Sequence, residues 1–427
     1  LKTRKVHKIA WNELIGKIGP TIIVAAVVLG PGSILTSSRV GADFGFPAWF
    51  VLVLSTFLMI GMVTLAARLG VTYERSLCEE LAARLGRGAS LFVGLILFLV
   101  VALFQSSNNL AIIAGLEPLV EDIGDGRPLA GTVTSLMVLV IINFFVAFCL
   151  FRVRSLYSQI ERLMKILVLV MIFAFTGNLI VVLFGALEPD AIQKTSSRKS
   201  DLIPLLGMIG TTFSIGGAFY QGYLVREKGW KLADWRKGLR DSIFGICVLG
   251  IVTSFILITS VLTFHGRANV VDLRSVGDVA KQLEPLFGKG AKVIFSLGIM
   301  AGAFSSFLVN AVIGGTILSD SLGKGWRLSD TMPRVLTCLA LLIGMGVASW
   351  SLSGGSGTVT LITIAQALTV LGLPMLAAAL IYLGTRKELV GEKKVPRWIL
   401  GTCWLGLVVA CILAVKTALL VWDKVSS

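Results

Sequence analysis

The residues whose types and spacing could do chemistry lie in two glycine-rich stretches inside long apolar segments. The first stretch is Gly30-Pro31-Gly32-Ser33 and the second is Ser214-Ile215-Gly216-Gly217. Glycine and proline interrupt helices, and an interrupted backbone inside a membrane survives only where protein or a water-filled cavity satisfies its polar groups. Two interruptions at matching positions of two halves predict the substrate site of a secondary transporter.

The ligand that these stretches predict follows from what they contain. They hold no acid, histidine or methionine, and the two histidines of the chain, His7 and His265, fall outside the apolar segments. Each second half-helix begins with free N–H groups and the positive end of its dipole. Ser33, Ser214 and Thr211 add hydroxyl groups. The pattern therefore predicts a small anion, with bicarbonate first, as the bound partner.

Two other interpretations remain open on the same residues. Backbone carbonyls and hydroxyls hold hard cations, so a carrier of hydrated Mg²⁺ or Mn²⁺ is the first alternative. The second is a transport-dead membrane protein that acts as a sensor. No set of catalytic residues, metal cluster or phosphate-binding loop is found in the sequence, so we expect neither an enzyme nor a bound cofactor.

The composition describes a membrane protein. Hydrophobic residues make up 55% of the chain and charged residues 15%, with a mean hydropathy of +0.87. The net charge of +15 comes from basic residues in short loops, which predicts membrane topology and a lipid bilayer rather than a nucleic acid as the partner. The cysteines are scattered without CxxC pairs, which is typical of small buried side chains.

Eleven membrane spans are predicted from segments of suitable length. They are 17–40, 46–69, 89–115, 130–151, 160–185, 203–225, 242–264, 291–319, 333–350, 357–383 and 398–422. Basic residues concentrate in alternate loops, as in 226–240, whereas the loop 117–129 is acidic. The positive-inside rule then places the N-terminus in the cytoplasm and the C-terminus outside. We interpret 226–240 as an ordinary basic loop in preference to a lipid-binding surface helix.

The first and sixth spans run in opposite directions, which allows an inverted repeat. We therefore expect an all-α integral membrane protein with a LeuT-like fold, in which the first and sixth helices are broken. The predicted parts are a cytoplasmic segment 1–16, a first repeat 17–185, an extracellular loop 186–202, a second repeat 203–383 and a peripheral eleventh span 398–422.

At these positions the sequence resembles the Nramp family of metal-ion transporters. Gly30-Pro31-Gly32-Ser33 followed by Gly41-Ala42 is similar to the family's first-span Asp-Pro-Gly-Asn and Gly-Ala segment. Further similar stretches are Ala66-Ala67-Arg68-Leu69-Gly70, Gly302-Ala303-Phe304-Ser305-Ser306 and Gln366 with Leu373-Pro374. The resemblance covers nearly the whole chain and implies that Gln366 lies near the substrate.

The residues that give the family its chemistry differ here. The metal-binding Asp and Asn positions are Gly30 and Ser33, and the sixth-span Met-Pro-His reads Ser214-Ile215-Gly216. The third-span acids associated with proton passage fall at Ala102, Asn109 and Ile112, and a second sixth-span histidine falls at Gln221. The resemblance therefore implies the scaffold without the usual metal and proton-pathway residues.

Two further predictions concern hydroxyl and charged side chains. Ser305 and Ser306 fall where LeuT-like proteins coupled to sodium place hydroxyl ligands, which predicts a sodium site. Arg39 could guide anions toward the first break, but pairing with Asp43 one turn later is the interpretation that we favour.

Overall fold

The fold is described from a computed structural model. It describes residues 21–121, 133–152, 173, 175–177, 179–184, 202–266, 273, 276–280, 288, 291–352 and 358–426. The predicted segment 1–16, nearly all of the loop 186–202 and most of the fifth span lie outside these residues. The described chain is helical throughout its regular elements.

Fifteen α-helices are described. They are α1 Thr21–Val28, α2 Pro31–Phe44, α3 Pro47–Thr72, α4 Leu77–Leu85, α5 Arg87–Glu121, α6 Val133–Arg152, α7 Ile203–Thr212, α8 Ile215–Glu227, α9 Trp235–Phe264, α10 Val276–Ala280, α11 Ala291–Ser321, α12 Thr331–Leu352, α13 Thr358–Leu368, α14 Leu373–Gly384 and α15 Arg397–Ser426. Short 3-10 turns occupy Leu232–Asp234, Thr369–Gly372 and Gly391–Lys393.

Eight helical stretches in the described part are long and apolar enough to cross a membrane, and the shorter apolar helices Val133–Phe148 and Phe175–Phe184 add to them. The first span is the pair α1 and α2, which are separated at Leu29 and Gly30. The sixth span is the pair α7 and α8, separated at Phe213 and Ser214. The predicted breaks in the first and sixth helices are therefore confirmed.

The second break differs in position from the prediction. Ile215, Gly216 and Gly217 lie in the first turn of α8 instead of in an unwound segment. The first turn of a helix has N–H groups without intrahelical partners, so two glycines there do not prevent the helix from starting. In the same way Pro31, Gly32 and Ser33 form the first turn of α2, where proline has no N–H to leave unpaired.

Two elements were not predicted. The tenth span is interrupted between α13 and α14 by the 3-10 turn that precedes Leu373-Pro374. Proline at this position removes a backbone donor and so disturbs the regular helix. The short helix α4 begins with a capping box, in which Ser76 and Glu79 satisfy each other's backbone N–H groups. The Ser-x-x-Glu spacing was the sequence signal for it.

The basic segment after α8 does not form a separate surface helix. After α8 ends, the backbone passes through the 3-10 turn Leu232–Asp234 and enters α9 at Trp235. Residues 235–240 of the basic segment thus form the start of α9, and the choice between an ordinary basic loop and a lipid-binding surface stays a prediction.

Candidate substrate site at the two helix breaks

The first break is a change of backbone direction at Gly30. Its φ of −66° and ψ of 177° are extended, and its carbonyl accepts hydrogen bonds from the N–H groups of Ser33 (3.1 Å) and Ile34 (3.3 Å). The last hydrogen bond toward α1 runs from Leu29 N–H to Ala25 O at 2.9 Å. The carbonyls after Ala25 in α1 accept no hydrogen bond from a following helical turn, as at any helix C-terminus.

The second break repeats this arrangement. Phe213 N–H donates to Ile209 O at 2.7 Å and closes α7, and Ala218 N–H donates to Ser214 O at 3.0 Å and opens α8. Ser214 itself has φ −77° and ψ 85°, outside the helical region. Each break therefore carries both the carbonyl end of one half-helix and the N–H end of the next.

The two breaks are packed together by crossed pairs of half-helices. α1 packs on α8, and α2 packs on α7. A Cβ at Gly217 in α8 would lie 3.2 Å from Val24 Cγ1 in α1. A Cβ at Gly207 in α7 would lie 3.1 Å from Thr36 Cγ2 in α2. Glycine at these positions lets the half-helices approach closely enough to bring both breaks to one place.

Gln366 in α13 lies between the first break and α7. A Cβ at Gly32 would overlap Nε2 of Gln366, and one at Gly207 would lie 3.6 Å from Gln366 Cβ. Nε2 donates a hydrogen bond to Ser107 Oγ of α5 at 2.7 Å, whereas Oε1 is buried and has no hydrogen-bond partner. Gln366 thus lies beside the first break, and its role near the substrate stays a prediction.

Several buried hydroxyl and amide oxygens near the breaks lack hydrogen-bond partners. They are Ser33 Oγ, Ser37 Oγ, Thr212 Oγ1 and Gln366 Oε1, each on a side chain that is at most 1% exposed. Unpartnered buried polar atoms are rare in native proteins and call for an explanation such as a bound ion or water. The predicted residue Thr211 differs, because its hydroxyl donates to Met208 O of its own helix at 2.9 Å.

Both ends of helix dipoles meet at the breaks. The positive N-terminal ends of α2 and α8, on which the predicted anion depends, lie beside the negative C-terminal ends of α1 and α7. Carbonyl ends of half-helices and unwound backbone carbonyls are groups that coordinate cations in transporters of this architecture. The site is therefore polar and neutral, and it offers oxygen atoms as well as N–H donors.

The positions of the third-span acids hold a neutral network. Ala102, Asn109 and Ile112 are fully or almost fully buried in α5. Asn109 Oδ1 accepts from Asn143 Nδ2 of α6 at 2.7 Å, and Asn109 Nδ2 donates to Gln105 O at 2.8 Å. Interhelical hydrogen bonding, as is usual for polar residues in membrane helices, accounts for this amide.

The position of the family's second sixth-span histidine is held by Gln221, whose side chain is neutral and hydrogen-bonded. Gln221 Nε2 donates to Thr21 Oγ1 at 2.7 Å, which ties α8 to the start of α1. Thr21 Oγ1 in turn donates to Asp241 Oδ2 at 2.7 Å. This side chain links half-helices on one side of the breaks.

The predicted sodium ligands are only partly visible. Ser306 Oγ accepts from Asn310 Nδ2 at 2.9 Å within α11, and the side chain of Ser305 lies outside the described residues. The sodium site stays a prediction, which a comparison of uptake with and without sodium tests.

The end of α2 away from the break is held by Arg39 and its neighbours. Arg39 Nε lies 3.8 Å from Asp43 Oδ2, and Nη1 donates to Thr360 Oγ1 of α13 at 3.2 Å. Ser260 Oγ of α9 also donates to Ser38 O. The interpretation of Arg39 as a partner of Asp43 is confirmed.

A buried carboxylate, Asp320 of α11, lies against the C-terminal part of α8 and was not predicted from the sequence. Tyr223 O–H donates to Asp320 Oδ2 at the end of α11 at 2.6 Å, and Cys78 N–H donates to the same tyrosine oxygen at 3.4 Å. Arg226 donates to the carbonyls of Tyr73 (2.8 Å), Arg75 (2.9 Å) and Glu74. These bonds close the space between α8, α11 and the segment after α3.

A metal cluster of the ordinary kind is not found in the described residues. They contain no group of three or more histidine, cysteine, aspartate or glutamate side chains that could hold a metal ion. Five cysteines are described there and all five are free thiols. Burial raises the pKa of the Cys78 thiol well above its ordinary value, so this thiol stays protonated.

Comparison with known proteins agrees with the family resemblance. Residues 21–421 match the family model described as natural resistance-associated macrophage protein-like. A protein of Nostoc sp. named divalent metal cation transporter MntH is 25% identical over 93% of this chain and 89% of its own length. A protein of the same name from Mycobacterium tuberculosis is 23% identical over 99% of this chain and 94% of its own length.

Solved structures share the fold. The Eremococcus coleocola manganese transporter, in complex with an aromatic bis-isothiourea substituted compound, has a TM-score of 0.72 at 20% identity, covering 95% of this chain and 87% of its own. Mhp1, a nucleobase-cation-symport-1 family transporter, has a TM-score of 0.58 at 12% identity, covering 95% of this chain and 93% of its own. The LeuT-like membrane fold is thereby confirmed.

The prediction of a bicarbonate-like anion as partner is wrong against these relatives, which are named for divalent metal cations. The physical reason lies in the breaks. The breaks lack carboxylates, yet the carbonyl ends of α1 and α7 and the unpartnered side-chain oxygens present acceptors that suit a cation better than an anion.

Proposed function

The chain belongs to the natural resistance-associated macrophage protein (Nramp) family, and from this premise we propose that it carries a divalent metal cation, Mg²⁺ or Mn²⁺, across the membrane. It is a multi-pass integral membrane transporter of that family. The ion binds at the two helix breaks, and access to it alternates between the two sides. The relatives named divalent metal cation transporter MntH support this choice of substrate.

The observation that carries the proposal is the set of unpartnered oxygens at the breaks. Ser33 Oγ, Thr212 Oγ1 and Gln366 Oε1 are buried acceptors without partners, and the carbonyl ends of α1 and α7 lie at the same breaks. Mg²⁺ takes oxygen ligands, and Mn²⁺ suits the same carbonyl and water ligands. A cation therefore satisfies acceptors that the protein alone leaves unsatisfied.

The ion keeps part of its hydration shell at this site. The Asp, Asn and Met positions of the family are Gly30, Ser33 and Ser214, so no carboxylate or thioether replaces the ion's water. Removing all water from a divalent ion costs far more free energy than coordination by neutral oxygens alone recovers, when no anionic ligand is present. Mg²⁺ loses water reluctantly and commonly retains several water ligands in proteins.

The experiment is a flux measurement in proteoliposomes that contain the purified full chain. We expect uptake of Mg²⁺ or Mn²⁺ above that of protein-free vesicles, with a lower rate for Gln366→Ala. Gly346→Ala is the matched control, because no heavy atom lies within 4 Å of a Cβ built there. A folded chain without uptake of either ion would contradict the proposal and favour the transport-dead sensor.

The orientation belongs to the same proposal. The basic loop after α8 and the turn Gly391–Lys393 lie in the cytoplasm, so that the N-terminus is cytoplasmic and the C-terminus is outside. A single cysteine introduced at Lys393 should react with a membrane-impermeant thiol reagent only after the cytoplasmic side is opened. Reaction in intact cells would reverse the proposed orientation. The background for this variant must lack Cys411, which is the exposed native thiol of the described residues.

A further inference from the structure

The side-chain amide of Gln366 contacts the first break, and its nitrogen and oxygen atoms differ in their hydrogen bonds. Nε2 lies against Gly32 and donates to Ser107 Oγ at 2.7 Å. Oε1 is buried without any hydrogen-bond partner. An amide nitrogen only donates and an amide oxygen only accepts, so the end left free decides which ligand this side chain suits.

Ser107 is the residue that takes up the donor end. It lies in α5, is 0% exposed and is 259 positions from Gln366 in sequence. It belongs to the polar run Gln105-Ser106-Ser107-Asn108-Asn109 inside an otherwise apolar helix. The neighbouring residues have other partners: Ser106 Oγ donates to Leu103 O at 2.8 Å, and Asn108 Nδ2 donates to Gln105 Oε1 at 3.1 Å.

We propose that Ser107 is a positioning residue for the transported cation: by accepting the hydrogen bond from Gln366 Nε2, it leaves Gln366 Oε1 as the end of the amide that the ion meets. This inference rests on the proposed function, since a cation binds the oxygen end of an amide and is repelled by the NH₂ end. Without Ser107 the amide is free to turn about its last side-chain bond. The NH₂ group, which repels a cation, then competes for the same place.

The test compares three variants of the full chain in proteoliposomes with Mn²⁺ as the probe. Ser107→Ala should raise the KM for Mn²⁺ about three- to tenfold, the value of one net hydrogen bond, and should change kcat less. Ser107→Thr keeps the hydroxyl and should retain the KM of the wild-type chain. Ser106→Ala, at the adjacent position, should leave the KM unchanged.

A double-mutant cycle separates positioning from packing. In the Gln366→Ala background there is no amide left to position, so adding Ser107→Ala should cause no further rise in KM. A second full rise in that background, or an unchanged KM for Ser107→Ala alone, overturns the inference. The wild-type chain tests the premise separately: absence of Mn²⁺ and Mg²⁺ flux overturns the proposed function and the inference with it.

Discussion

Gly30 is the residue at which the charge of the site is most simply changed. Its φ of −66° is accessible to any residue, and it stands at the N-cap of α2, where aspartate is among the preferred residues. A carboxylate about 4 Å from a unit positive charge attracts it by about 4 kcal/mol at an effective dielectric constant of about 20. Gly30→Asp should therefore bind Mn²⁺ at least about tenfold more tightly, measured by titration calorimetry.

The neutral isostere separates charge from shape in that experiment. Gly30→Asn has nearly the same volume and the same capping ability, so it should gain much less affinity than Gly30→Asp. Weaker Mn²⁺ binding by the aspartate variant than by the asparagine variant would show that the breaks do not hold a cation.

At the level of helices, the first turns of α2 and α8 differ in how closely they are packed. A Cβ at Gly32 would overlap the Gln366 amide, whereas one at Gly216 would lie 3.9 Å from Leu97 Cγ. Gly32→Ala should lower metal uptake strongly because the amide must move, and Gly216→Ala should be tolerated. Uptake rates and melting temperatures of both variants check this. Equal losses of uptake would mean that the two breaks are not distinguished by this packing.

The sequence was sufficient for the elements but not for their pairings. Gly30-Pro31 and the glycines after Ser214 predict where helices stop, because backbone preferences are local. The contact between Ser107 and Gln366 joins residues 259 positions apart, and no local preference encodes it. The turn before Pro374 was not predicted, although Gly372-Leu373-Pro374 is a local signal for it.

The charge of the bound ligand was predicted wrongly for a related reason. Side-chain types at the breaks are read directly from the sequence, but every residue has a carbonyl, and these groups are noticed only when a helix end is located. Once α1 ends at Val28 and α7 at Thr212, their last carbonyls have no helical partner and become available to a bound group. The polar run at Gln105–Asn109 was the available signal for Ser107, since five consecutive polar residues are unusual inside a membrane span.

For the whole molecule, the LeuT-like fold with broken first and sixth helices was predictable because two independent signals agreed. Apolar segment lengths predict the spans, and the distribution of basic residues between loops predicts their direction, which stays a prediction. The Tyr223–Asp320 contact at the end of α8 was not predictable in this way, since it brings together residues of two spans through side-chain packing. Because Tyr223 lies about nine residues after the second break, this contact joins α8 to α11 away from the candidate site.

The last prediction concerns coupling, a property of the whole transport cycle. The third-span positions associated with protons in the family are Ala102, Asn109 and Ile112, and the amide of Asn109 is hydrogen-bonded to Asn143. Amides neither gain nor lose protons at physiological pH, so this network cannot relay protons as carboxylates do.

Mg²⁺ or Mn²⁺ uptake should therefore keep the same rate when a pH gradient is imposed, and a pH-sensitive dye inside the vesicles should report no acidification during uptake. Asn109→Asp returns a titratable group to α5 and should make the rate depend on pH where the wild-type rate does not. Acidification in step with uptake by the wild-type chain would contradict this and would direct attention to Asp320, the buried carboxylate at the end of α11, with Asp320→Asn as the variant that decides.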